Sequence, residues 1–130
     1  MQINKTIEKW HHYVEKGDIK VLQNILSDDV VFHSPVLHTP QSGKALTTMY
    51  LSAAYYMFKD TEFIYKRQVL QNQQAVLEFE TQIDGIIING VDIIECNEAG
   101  QIKEFKVMIR PLQGLKKIQQ KMFEILEKSQ

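Results

Sequence analysis

In residues 58–83, FKDTEFIYKRQVLQNQQAVLEFETQI, the hydrophobic period changes from that of a helix to that of a strand. Just upstream, Leu46, Met49, Tyr50, Ala53, Ala54 and Met57 recur at helical spacing. Beyond residue 62 the period is two: Phe63, Tyr65, Arg67 and Val69 alternate with Glu62, Ile64, Lys66 and Gln68. Leu77, Phe79, Thr81 and Ile83 then alternate with Glu78, Glu80 and Gln82. Side chains of a strand point alternately to its two faces, so this segment predicts strands with one buried and one polar face.

Downstream of this segment, Asp84-Gly85 is a hairpin signal. Asn89-Gly90 is a second, too close to the first for both to be full hairpins, so Gly90 is expected as a bulge or kink within a strand ending at Cys96. Asn97-Glu98-Ala99-Gly100 turns the chain into a last strand, Ile102 to Ile109, with Phe105, Val107 and Ile109 on one face. Pro111 closes it, and a final helix carries Leu115, Ile118, Met122, Ile125 and Leu126. Upstream, Ile3, Ile7, Trp10 and Val14 share a helix face that Gly17 terminates. Asp18 caps a second helix with Ile19, Leu22, Ile25 and Leu26. Ser27-Asp28-Asp29 reads as a turn, Val30 to Ser34 as a short strand ended by Pro35, and Val36 to Gly43 as a loop, with Ser42 as the cap of the third helix. Helices followed by a four-strand meander define an α+β fold. A curved antiparallel sheet would wrap the N-terminal helices into a half-open cone with an internal pocket, with a C-terminal helix beside it.

The composition is that of a single domain over residues 1–130: 130 residues, 44% hydrophobic and 24% charged. Fifteen Lys and Arg against sixteen Asp and Glu leave a net charge of -1, which gives no general pull toward nucleic acid. One cysteine, Cys96, excludes an internal disulfide and a cysteine-based zinc cluster. Residues Met1 to Trp10 do not read as a signal peptide. The apolar run Gly85 to Ile94 is interrupted by Asn89, Gly90 and Asp92 and is far shorter than a bilayer span. The expectation is a soluble, cytoplasmic protein.

Three segments taken in order resemble the nuclear transport factor 2-like superfamily, and its SnoaL-like branch in particular. They are Gly17-Asp18 through Val30-Val31-Phe32-His33-Ser34-Pro35, then Gly90-Val91-Asp92-Ile93-Ile94, then Asn97 to Ile102 with Met108-Ile109-Arg110-Pro111. The resemblance implies a cystatin-like α+β cone, an apolar pocket inside it, and a homodimer formed through the outer sheet face. Leu77, Phe79, Ile83, Phe105, Val107 and Ile109 would face the cone. Glu78, Glu80, Glu104, Lys106 and Arg110 would lie outside, with Ile64, Ile93 and Met108 as apolar contacts. The fold hosts many functions, so activity must be argued from the site.

Asp92 stands between Val91 and Ile93 in an apolar strand. It matches the position at which ketosteroid isomerases, which look similar, keep an acid in the pocket. A carboxyl in an apolar cavity holds its proton more tightly and can donate it. The alternative is a paired, structural carboxylate. The general base of those isomerases would fall at Ser34 and their phenol donor at Trp10, so their full set is absent. The limonene epoxide hydrolases, similar in fold, would need an Arg where this chain has Gly90.

Trp10 lies on a buried face with a polar N–H, and Tyr50 shares the apolar stripe of the third helix. His38 lies in the loop at the cone mouth, whereas parity turns His33 outward. His11, His12 and Glu15 do not make a metal site, and neither a metal nor a cofactor is implied. Lys116, Lys117 and Lys121 read as the solvated face of the last helix. The reading is a protein that binds a small, largely apolar organic molecule in its cone. Asp92 is the catalytic candidate for isomerase- or lyase-type proton transfer; Trp10, Ser34, His38, Tyr50, Phe79, Phe105 and Val107 are the binding candidates. The alternative is a non-catalytic homodimeric binding or interaction module whose Asp92 is structural.

Overall fold

The computed structural model describes residues 2–128; Met1, Ser129 and Gln130, the ends of the expected 1–130 domain, lie outside the described residues. Helix α1 (Gln2–Lys16) buries Ile3, Thr6, Ile7, Trp10 and Tyr13. Gly17 ends it at φ +73°, a left-handed conformation. Its N–H donates to the Tyr13 carbonyl at 2.7 Å, and a Cβ there would run into the Tyr55 ring. Asp18 caps α2 (Ile19–Ile25) by accepting from the Lys20 N–H at 3.0 Å.

Strand β1 (Leu26–His33) starts earlier than the sequence suggests. The expected turn at Ser27–Asp29 is a register irregularity inside the strand, because burial of Leu26, Val30 and Phe32 holds both sides of it in the sheet. Ser42 does not cap the third helix: it belongs to β2 (Gln41–Ser42), paired with β1. The cap of α3 (Lys44–Phe58) is Gly43, with no side-chain hydrogen bond. The buried face of α3 is also rotated from the expected stripe. Thr47, Thr48, Leu51, Ala53 and Met57 are buried, while Met49 is 42% exposed.

Strands β3 (Ile64–Gln71), β4 (Gln74–Ile83), β5 (Ile86–Cys96) and β6 (Ile102–Arg110) form the expected antiparallel meander. The complete sheet has six strands rather than four, in the order β2-β1-β6-β5-β4-β3. It is mixed rather than purely antiparallel, since β1 runs parallel to β6. A bare β6 would present a row of unpaired backbone groups, and β1, anchored through Val30 and Phe32, supplies their partner.

Asp84 and Gly85, at φ +51° and +80°, make the two-residue turn that pairs Ile83 with Ile86. Gly90, in contrast, is not a bulge; its ladder pairs with Phe79 and Ile109 are continuous. It is small because the Phe79 ring lies over it, and a Cβ would overlap that ring and approach the Met108 carbonyl oxygen at 2.8 Å. The bulge falls instead in β3, where Tyr65 pairs with Phe79 but Arg67 pairs with Glu78. The extra residue, Lys66, reverses the parity. Tyr65 therefore faces inward, while Arg67 and Val69 lie on the outer face, Arg67 Nε 2.6 Å from Glu78 Oε1.

Helix α4 (Leu112–Lys128) closes one side. Ile118 packs with Met57, Ile83 and Ile88 in a small cluster apart from the main core. Lys117 and Lys121, expected to be solvated, both reach Asp84 Oδ2, at 3.2 and 3.6 Å. The main core joins α1 and α2 to the inner sheet face through Trp10, Leu22, Leu77, Ile94 and Phe105. Between the sheet, α1, α3 and α4 lies a cavity.

Candidate functional site

Asp92 has no cation beside it across the sheet: its direct partners are Leu77 on β4 and Val107 on β6, both apolar. Strand parity turns it inward with Gly90 and Ile94, and it is 5% exposed. It lines a cavity of about 600 Å³. Burial pushes its carboxyl up to about 7, against the opposing effect of one hydrogen bond. That bond comes from Tyr65, whose hydroxyl donates to Asp92 Oδ2 at 2.6 Å. The Trp10 ring N–H donates in turn to the Tyr65 oxygen at 2.9 Å. Burial raises Tyr65 well above its ordinary 10, and the neighbouring Asp92 charge raises it further, so the phenol stays a donor.

This chain of three side chains draws on three elements. Trp10 comes from the buried face of α1, Tyr65 from β3 just before its bulge, and Asp92 from the middle of β5. Aromatic packing fixes it. Trp10 lies 4.9 Å, centroid to centroid, from Phe105, and Tyr65 lies 5.1 Å from Phe63. The His11 ring meets Tyr65 edge-on at 5.0 Å, with its Nε2 2.6 Å from Gln68 Oε1.

Of the residues picked from sequence, Asp92, Trp10, Ser34, Tyr50, Phe79, Phe105 and Val107 line this one cavity. Tyr50 stacks on Phe32 at 5.7 Å. Ser34 is tied to the turn after β1, its Oγ accepting from the Val36 and Leu37 N–H groups at 2.9 and 3.1 Å. His38 does not join them. It is exposed and lines a separate depression with His33 and Lys106, on the other side of the loop that follows β1. His33 faces outward, as its parity predicts, 3.6 Å from Glu104. Burial pushes the Cys96 thiol up to about 11, consistent with a packed, unreactive group.

Tyr65 is the site residue that sequence reasoning missed. Its signal was present: a tyrosine on the inward parity of a strand two places from Phe63. What the sequence lacked was a cue for the bulge at Lys66, without which Tyr65 shares a face with charged Arg67.

The cone, its pocket and the inward carboxyl define a class, and sequence comparison agrees with it. The profile of the SnoaL-like domain family matches residues 7–105, and the chain belongs to that family, within the nuclear transport factor 2-like superfamily. Among solved structures, a steroid delta-isomerase from Pseudomonas aeruginosa is 30% identical, with a TM-score of 0.93 over 99% of this chain and 94% of that one. A bacterial protein of cystatin-like fold from Silicibacter pomeroyi is 28% identical, with a TM-score of 0.85 over 92% and 83% of the two chains. A nuclear transport factor 2-like protein from Mesorhizobium loti, 16% identical with a TM-score of 0.75 over 85% and 92%, shares the fold. No curated protein sequence matches the chain. Among the described residues no helix is long and apolar enough to cross a membrane.

Proposed function

We propose that the cavity binds a small, largely apolar organic molecule and that Asp92 moves a proton on it, next to a carbonyl group, as an isomerase or lyase would. The observation that carries this reading is a buried carboxyl, poised at about 7, on the wall of an apolar cavity. Tyr65 occupies Oδ2, which leaves Oδ1 for the ligand. Protonated, Asp92 donates to a carbonyl oxygen; ionised, it takes a proton from the adjacent carbon. Trp10 holds the Tyr65 hydroxyl in its donor orientation. Similarity to the Pseudomonas aeruginosa steroid delta-isomerase supports the class of chemistry.

Steroid isomerisation itself is expected to be slow, because Ser34 stands where ketosteroid isomerases keep their general base, and a serine that accepts from two backbone N–H groups does not take up a proton at neutral pH. The same observation favours the second reading, a binding module in which Asp92 only orders the Trp10–Tyr65 chain. Solvent-deuterium uptake beside the carbonyl of a panel of apolar ketones, a Δ5-3-ketosteroid included, separates the two. The enzyme reading predicts labelling of at least one ketone near pH 7, slowed about a hundredfold or more in Asp92→Asn. If ketones bind but none is labelled, the module reading stands.

We also propose a homodimer through the outer sheet face. The reading is supported by Ile64, Val76, Ile87 and Met108, which are 54%, 39%, 61% and 53% exposed on the strands of the sheet.

A further inference from the structure

We propose that the cavity is also a recognition site for organic ammonium groups, taking apolar amines in preference to apolar molecules that carry a carboxylate. The proposal rests on the same cavity as the proton-transfer reading but not on turnover.

Asp92 shares the cavity wall with the aromatic side chains Trp10, Tyr65, Phe79 and Phe105. On the inner sheet face its diagonal neighbours are Phe79, two places from its partner Leu77, and Phe105, two places from its partner Val107. Trp10 and Tyr65 close the other side through the hydrogen-bond chain that ends on Oδ2. The rings form two groups, Trp10 against Phe105 at 4.9 Å and Tyr65 against Phe79 at 6.4 Å, joined by the Trp10–Tyr65 hydrogen bond. Ring faces carry negative potential and attract a cation that has left water. A carboxylate beside them supplies the counter-charge that a buried ammonium requires.

Among the described residues, Asp92 is the buried carboxyl of the cavity lining. Among the described residues lining it, the other charged side chains are Glu15 and Lys59, and both are exposed. The Lys59 amine lies 5.3 Å from the Tyr56 ring centroid. Among the described residues, the titratable group that the elements packed around Asp92 bring to the carboxyl itself is Tyr65 on β3. His11 on α1 touches the far side of that tyrosine ring, and β4 and β6 present apolar residues. An ammonium therefore gains an ion pair and ring contacts, whereas a carboxylate at Asp92 meets like charge with no buried cation among the described lining residues to compensate it.

A head-group series on one apolar body tests this by calorimetry on the full chain: 1-adamantanemethylamine, 1-adamantanemethanol and 1-adamantanecarboxylate at pH 8. The expected result is amine binding at least tenfold tighter than the carboxylate, with the alcohol between them. The amine advantage should fall toward the alcohol's affinity at pH 5, where Asp92 is protonated, and vanish in Asp92→Asn. An amine preference under tenfold in the parent protein, or one that survives in Asp92→Asn, overturns the proposal, as does failure of all three to bind. Ketone labelling without amine preference removes this inference alone, and amine preference without labelling removes the proton-transfer reading alone.

Discussion

At Asp92 the sign of the pH dependence follows from which state holds the proton more tightly. The unfolded chain releases it near the ordinary value of 3.8, the folded chain near 7. Unfolding between those values releases a proton, so this residue's contribution to stability is full below about pH 4 and is lost as pH rises to 7, on the order of 4 kcal/mol in total. Asp92→Asn removes the ionisation and keeps an oxygen for the Tyr65 donor. It is expected to match the parent near pH 4 and to exceed it by about 1–3 kcal/mol at pH 8, read from urea unfolding at both pH values. The reverse pattern would identify a paired structural anion. Tyr65→Phe deletes the one hydrogen bond that holds the carboxyl down, so Asp92 in that variant should titrate higher than in the parent. Asp92 was legible in sequence because a lone acid between Val91 and Ile93 contradicts its strand. Tyr65 was not, because a tyrosine on an inward strand face is ordinary core until its hydroxyl partner is known.

Among the elements, the strands that were legible are those whose alternation runs unbroken. Leu77, Phe79, Thr81 and Ile83 keep one phase along β4 and all are buried. The β3 phase breaks at Lys66, and no glycine or proline marks the place. The same holds for β1: Ser27-Asp28-Asp29 carries turn chemistry, and only the tertiary burial of Leu26 and Val30 overrides it. Gly90 misled in the opposite direction, since its smallness serves packing rather than backbone bending. Gly90→Ala should therefore cost stability through overlap with the Phe79 ring, about 1–3 kcal/mol by denaturant unfolding. A neutral result would mean that the ring moves aside freely and that the strand needs no glycine.

For the molecule as a whole, the six-strand sheet has an inner face closed by helices and an outer face left open. The cone and its pocket followed from the change of period and from the family resemblance. The parallel β1–β6 pair did not, because it joins segments about seventy residues apart that no local pattern links. The outer face predicts assembly: at tens of micromolar, as an order of magnitude for a standard interface, sedimentation should show a dimer. Met108→Glu, at a site 53% exposed, should yield a folded monomer with unchanged far-ultraviolet circular dichroism. A monomeric parent would remove the dimer. The fold keeps the proton of Asp92 poised near neutrality inside an apolar cavity. Carboxyl carbon-13 NMR of the selectively labelled protein, followed from pH 3 to 9 with Asp92→Asn to assign the resonance, tests it most directly. The expected midpoint for Asp92 lies near 7. A midpoint at or below the ordinary 3.8 would contradict it.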